Sequence, residues 1–143
     1  MHPSGREEQP SWENLPVASA TQWLRQLDPE LRPGRFVFVS VPEVPAGVQP
    51  VASIVEPEGV SLVLDADAAE AIGLSYEFVA AMITLRVHSA LGGVGLTSAV
   101  SAALDEADIA CNVIAGCHHD YLFVPYERAE AGIEVLQKLQ NRT

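Results

Sequence analysis

Residues 87–116 read VHSALGGVGLTSAVSAALDEADIACNVIAG, and this stretch decides the fold. Its glycines at 92, 93 and 95 predict a loop, and the apolar residues of 96–107 then keep helical spacing over three turns. Residues 109–115 predict a strand, and HHDYLFVP at 118–125 supplies the next strand after a turn. A helix between a strand and a hairpin indicates an α+β protein.

The remaining predicted elements extend this unit along the chain in both directions. They are a helix at 19–27, a strand at 36–41, hairpin arms at 51–55 and 60–64, a helix at 66–72 capped by Asp65, a strand at 77–88 and a helix at 126–139.

These elements form a weak internal repeat. A shift of 61 positions places Leu62 on Phe123 and Ile72 on Ile133. We therefore predict a flexible tail at 1–14, a degenerate half at 15–76 and a complete half at 77–143. The first half lacks a helix after its first strand, and we expect helix 19–27 to fill that space.

Strand–helix–strand–strand–helix, closed by one more strand, is the split βαβ arrangement of ferredoxin-like folds. The chain resembles an ACT domain in three features: the turn Gly95-Leu96-Thr97, the helix end at 104–108 and the strand from Ile109. Over residues 78–137 it resembles small bacterial proteins made of two ACT repeats. The looser resemblance, through the repeat, covers 35–137. It implies a ferredoxin-like tandem repeat in which antiparallel sheets carry helices on one face.

The chain departs from the usual ACT pattern at three positions. Gly92 and Val94 stand where ACT sites often have an acid and a proline, and that acid would anchor the amino group of a ligand. Asp108 occupies a position that usually holds a left-handed glycine, a conformation that Asp tolerates better than most residues.

The distribution of charge excludes one large class of function. The net charge is −11, and Arg86 is the only Lys or Arg between Phe36 and Glu127, a stretch that holds twelve Asp and Glu. Binding a nucleic acid requires basic side chains that neutralise phosphates, so we expect no nucleic-acid partner. A zwitterionic or neutral ligand remains compatible with this charge map.

The two cysteines and the N-terminus indicate the compartment. Cys111 and Cys117 form no disulfide framework and are expected to be reduced. The first 14 residues have no apolar core of a signal peptide, and the longest apolar run, at 78–85, is too short to cross a bilayer. We expect a soluble, cytoplasmic protein with no membrane partner.

The predicted ligand site lies where the loop meets the central helix. Glycines allow close approach of the backbone, and the unpaired amides of a helix N-terminus favour a carboxylate. Asn112 is expected on a largely apolar strand face, where its amide needs a partner, either backbone or ligand. The predicted ligand contacts are His88, Ser89, Leu91, Gly92, Gly93, Val94, Gly95, Leu96, Thr97, Asn112 and Ile114.

By resemblance, the ligand is an amino acid or a related metabolite, and the protein is a regulatory homodimer without catalytic activity, cofactor or metal. Two alternatives stay open. The chain could be an interaction module without a ligand. It could also be a metal-dependent or hydrolytic enzyme that uses His88, His118, His119 and Asp120, although consecutive residues seldom chelate one ion well.

Overall fold

The computed structural model describes residues 22–87 and 95–142 of the chain. The strands in these ranges are β1 (Pro29–Leu31), β2 (Phe36–Val41), β3 (Ala52–Glu56), β4 (Gly59–Asp65), β5 (Val79–Leu85), β6 (Asn112–Ala115) and β7 (Asp120–Pro125). The helices are α1 (Ala66–Ala71), α2 (Leu96–Glu106) and α3 (Ala129–Asn141), which follows a 3-10 turn at Tyr126–Arg128. Residues 22–25 are also helical.

Most predicted elements are present, with shifted ends. The strand predicted from Ile109 begins only at Asn112, because residues 108 and 109 close the end of α2. Asp108 has φ 58, its N–H donates to the Asp105 carbonyl at 2.9 Å, and the Ile109 N–H donates to the Leu104 carbonyl at 3.0 Å. These two bonds form a Schellman motif, which confirms the predicted left-handed position of Asp108.

The described strands form one antiparallel sheet in the order β3-β4-β2-β5-β7-β6, with β1 paired to β5 beside β2. The first residues of β5 pair with β2, as Val79 with Val37 and Ala80 with Phe36. Its later residues pair with β1, and its opposite edge pairs with β7 along most of its length. Strand β5 therefore closes the first half of the fold and begins the second.

Strand β1 was not predicted, and it completes the second half. The predicted place of the N-terminal helix, in the first half, is wrong: in its described part, Leu24 and Leu27 are buried with β5, β7, α2 and α3. The Asp28 N–H donates to the Gln140 side chain at 3.1 Å, which fixes this segment to α3. The segment therefore packs against the second half. In the first half, Val48 of the long β2–β3 connection packs on the core instead.

All three labelled helices pack on the same face of the sheet, as predicted. Helix α1 covers Val37, Val39, Leu62 and Leu64, and α2 and α3 cover the corresponding face of β5 and β7. Asp65 caps α1, because its carboxylate accepts hydrogen bonds from the amides of Asp67 (2.9 Å) and Ala68 (3.3 Å).

The face without helices is also apolar at its centre. Phe36, Val63, Ala80, Met82 and Phe123 are buried there. The Phe38 ring lies edge-on to the Phe123 ring, with the centroids 5.4 Å apart. Because Phe38 belongs to the first half and Phe123 to the second, this cluster joins the two halves.

In residues 22–87 and 95–142, no helix has both the length and the apolar character needed to cross a membrane.

Candidate functional site

Six of the predicted ligand contacts lie outside the described residues: His88, Ser89, Leu91, Gly92, Gly93 and Val94. The other five, Gly95, Leu96, Thr97, Asn112 and Ile114, can be placed in the fold.

Helix α2 begins at Gly95, which adopts a left-handed conformation with φ 101. Gly95 has no side chain to cap the helix, and its carbonyl accepts the first helical hydrogen bond from the Ala99 N–H at 3.0 Å. Leu96 is buried and anchors the first turn, whereas Thr97 and Ser98 are exposed. This turn contains no acidic residue, so its partial positive charge is not neutralised from within the helix.

The amides of this first turn are available within the described part of the chain. No acceptor for the N–H groups of Leu96, Thr97 or Ser98 is found among residues 22–87 and 95–142. Such amides can bind one carboxylate without the help of a basic side chain.

Asn112 and Ile114 lie on the other side of the sheet. Asn112 is opposite Phe123 and Ile114 is opposite Tyr121 on β7, and Ile114 packs into the cluster on the helix-free face. The structure therefore does not bring Asn112 and Ile114 onto the same face as the start of α2.

The predicted burial of Asn112 is wrong. Its side chain is exposed, because β6 is the last strand of the described sheet. Water can solvate the amide there, so the expected free-energy cost of an unpaired group does not arise. Whether Asn112 contacts a ligand stays a prediction.

The one base in the centre of the chain is already engaged. The Arg86 guanidinium bonds to both carboxylate oxygens of Asp28, at 3.0 and 3.1 Å, and to Glu30 at 3.0 Å. The hydrogen bond to Asp28 and the negative charge of that carboxylate raise the pKa of Arg86. Arg86 holds residues 28–30 beside β5, and a carboxylate ligand would have to compete with two acids for it.

The hairpin tip between β6 and β7 has an ordinary turn geometry. The Gly116 N–H donates to the His119 carbonyl at 2.9 Å, which places Cys117 and His118 at the corner. Both cysteines are free thiols; Cys117 is exposed, and partial burial raises the pKa of Cys111 to about 11. Within the described ranges, no three His, Cys, Asp or Glu side chains come close enough to hold a metal ion.

A cavity of about 360 Å³ that was not predicted lies between the two ends of the sheet. One side of the cavity is formed by β3 and the residue before it, and the other side by β6, the residue after it and β7. The lining residues are Val51, Ala52, Ile114, Ala115, Gly116, Tyr121 and Phe123. The curl of the sheet brings these strands together. Because no local pattern encodes that curl, the cavity has no signal in the sequence.

The comparisons with known proteins agree with this architecture. Two family models described as ACT domains match residues 18–81 and 77–138. A Vibrio cholerae protein of unknown function, described as a possible transport protein, is 38% identical with a TM-score of 0.77, over 87% of this chain and 98% of that chain. A comparison with curated proteins gives no match.

More distant structures share the fold. An Agrobacterium tumefaciens protein is 16% identical with a TM-score of 0.61, over 78% of this chain and 87% of that one. The regulatory subunit of aspartate kinase from Thermus flavus is 10% identical with a TM-score of 0.55, over 78% and 95% of the two chains.

The two ACT matches overlap only at residues 77–81, where the chain enters β5, the strand that both halves use. ACT domains are regulatory, generally bind small-molecule ligands and often form dimers. The boundaries at 15–76 and 77–143 stay predictions. With one domain model on each half and a 38% identical relative along nearly its whole length, the chain belongs to the ACT domain family as a tandem pair of ACT domains.

Proposed function

We propose that this chain is a regulatory protein without catalytic activity, which binds a small metabolite, in the first place an amino acid, in the cytoplasm. The observation that carries the proposal is the start of α2: a left-handed glycine followed by a helical turn whose amides have no described acceptor. An amino acid presents a carboxylate, which is one of the anionic groups that the start of a helix binds.

The proposed site combines this turn with the loop before it. The carboxylate of the ligand would accept hydrogen bonds from the amides of Leu96, Thr97 and Ser98. The loop residues His88, Ser89, Leu91, Gly92, Gly93 and Val94 would contact the rest of the ligand. Asn112 and Ile114 lie on the opposite face of the sheet, so their predicted contact with the ligand is not part of this proposal for the start of α2.

We propose that two copies pair along β6. Asn112, Val113, Ile114 and Ala115 carry no charge, so two such edges can approach without repulsion. Asn112 is exposed on this edge and would lie at the interface. Light scattering after size exclusion tests the pairing: Asn112→Lys should convert a dimer into a monomer. A dimer that survives this change contradicts pairing along β6.

A thermal-shift screen with the twenty amino acids tests ligand binding. A ligand at 100 times its Kd stabilises the folded state by about 2.7 kcal/mol, which corresponds to a rise in Tm of roughly 5–10 °C for a chain of this size. Shifts with zinc or nickel alone would favour the metal-dependent alternative. No shift with any of these compounds would favour an interaction module without a ligand.

One substitution separates binding at the start of α2 from binding elsewhere. Thr97→Glu places a carboxylate in the first turn, where it stabilises the helix by about 0.3–1 kcal/mol and occupies the amides. We therefore expect an unchanged or higher basal Tm and no shift with the amino acid. Ala102→Glu adds the same charge at an exposed position in the middle of α2 and should keep the shift. If Thr97→Glu keeps the full shift, the ligand is bound elsewhere.

A further inference from the structure

Strand β3 is an open edge of the described sheet. It pairs only with β4, so every second residue directs its backbone N–H and C=O away from the sheet. Its side chains are also open: Val55 is 86% exposed and Ile54 57% exposed, and Val51 just before the strand is 46% exposed. Both backbone and apolar side chains are therefore accessible on one strand.

Among residues 22–87 and 95–142, this edge lacks the features that usually prevent pairing with another strand. Natural edges are protected by lysine, proline, bulges or a covering loop. Strand β3 reads ASIVE, with neither lysine nor proline, and it pairs with β4 without interruption from Ala52 to Glu56. Ile54 lies opposite Ser61 and Val55 opposite Val60, so the two apolar side chains lie on opposite faces. A strand added here would cover both.

The 360 Å³ cavity begins beside this edge. Val51 and Ala52 line it on the β3 side, and Ile114, Tyr121 and Phe123 line it on the other. Its size and mostly apolar lining suit one bulky apolar side chain. Recognition by strand addition combines backbone hydrogen bonds with such pockets for alternate side chains, and here both features occur together.

The charge around β3 distinguishes between possible occupants. Residues 36–85 contain no Lys or Arg but seven acids, of which Asp67 and Glu70 pair with Arg35. Glu56 ends β3 and Glu58 lies in the turn that follows. A β3 strand from a second copy would bring another acidic hairpin to this surface. A basic segment would neutralise it, since complementary charge steers and stabilises association.

We infer that the β3 edge binds an extended segment of another protein, with alternating apolar residues, one bulky apolar side chain for the cavity and Lys or Arg near its ends. This segment would add a strand next to β3 and provide a contact through which a regulatory protein can act. The inference does not depend on the identity of the small-molecule ligand or on the site at α2.

A synthetic peptide provides the test. The fluorescein-labelled peptide KTFTVTVRK has the inferred pattern, and ETFTVTVEE is its acidic counterpart. Fluorescence anisotropy should detect binding of the basic peptide to the full chain, with a Kd that rises with salt. Val55→Lys should weaken this binding by about tenfold or more, because it places a lysine on the edge strand. Val55 is so exposed that the fold should not change, which circular dichroism checks.

Val44→Lys is the matched control. Val44 is 42% exposed, lies in the same acidic region outside the sheet and receives the same change of charge. We expect it to alter the Kd by no more than about twofold. Hydrogen exchange of the wild-type chain should show new protection of the amides at 52–56 when the basic peptide is bound.

Four results would overturn the inference: no anisotropy change up to millimolar basic peptide, equal binding of the acidic peptide, equal weakening by Val44→Lys and Val55→Lys, or dissociation of a dimer by Val55→Lys. The last would show that a second copy occupies β3. Val55→Lys should leave the thermal shift with an amino acid unchanged, so failure of this inference can be distinguished from failure of the proposed ligand site.

Discussion

At the scale of single residues, Thr84 is the buried polar group that the described part of the fold leaves unsatisfied. It lies in β5 and is 5% exposed, and its hydroxyl has no hydrogen-bond partner among the described residues. Thr84→Val keeps the shape and removes this hydroxyl, so we expect the free energy of unfolding to rise by about 1 kcal/mol. Urea denaturation measures the change. Thr84→Ala, which also removes a methyl group, should lower stability, and a loss of stability with Thr84→Val would contradict the prediction.

The partial burial of Cys111 predicts a pH-dependent difference between the two thiols. Burial raises the pKa of Cys111 to about 11, so its thiolate, the reactive form, appears at higher pH than in an ordinary thiol with a pKa of about 8.5. Reaction of the Cys117→Ser variant with a disulfide reagent should be slow at pH 8 and should accelerate up to about pH 11. The Cys111→Ser variant, with the exposed Cys117, is the control. Equal rates for the two variants at pH 8 would contradict the assignment.

Single residues also show what the sequence can reveal. The left-handed conformation of Asp108 was predicted from the resemblance to ACT domains, which usually have a left-handed glycine there, a conformation that Asp tolerates better than most residues. The exposure of Asn112 was not predicted. Alternation along a strand shows which residues share a face, but it does not show that β6 is the last strand of the described sheet, and that position determines whether water reaches the amide.

At the scale of elements, the β3–β4 hairpin depends on Gly59. Gly59 has φ 145, and a Cβ there would lie 2.5 Å from the Val41 carbonyl oxygen. Gly59→Ala should therefore lower the free energy of unfolding by about 2–4 kcal/mol, because neither the conformation nor the contact accommodates a side chain. Gly73→Ala is the control: Gly73 has φ 72, and a Cβ there would meet no described atom within 4 Å, so only about 1–2 kcal/mol of backbone strain is expected. Equal losses in urea denaturation would show that the contact with Val41 is unimportant.

Elements also show where a repeat read from sequence fails. The shift of 61 positions pairs Leu62 with Phe123, but Leu62 packs under α1, whereas Phe123 lies on the helix-free face. A shift of 60 pairs Leu62 with Leu122, and both face the helices. A register error of one residue reverses every side chain of a strand, and similarity of apolar residues cannot detect it. Strand β1 was not predicted because its three residues are too few to show the alternation of a strand.

At the scale of the whole molecule, the two ACT domains share a strand and part of a hydrophobic core. Strand β5 pairs with strands of both halves, and the cluster on the helix-free face contains Val63 from the first half and Phe123 from the second. The N-terminal segment adds a second link, because Leu27 lies in the core of the second half although it belongs to the first half in sequence. Neither half therefore has a complete sheet and core of its own, and we expect the two to unfold together.

This cooperativity can be measured with a probe in one half and a mutation in the other. Trp23 packs against the core of the second half, and Trp12→Phe makes it the only tryptophan. Leu62 is fully buried in the core of the first half, so Leu62→Ala should cost about 2–5 kcal/mol. If the halves unfold together, this change lowers the urea midpoint of Trp23 fluorescence as much as that of circular dichroism.

Leu27→Ala, in the core that contains Trp23, should likewise lower both midpoints together, and Leu31→Ala, at a position in β1 that is 41% exposed, should move them much less. A Trp23 transition that does not respond to Leu62→Ala while the circular dichroism transition becomes biphasic would show two independent domains. In that case the shared strand β5 would not couple their stability, and a ligand bound at α2 could not stabilise the first half through the sheet.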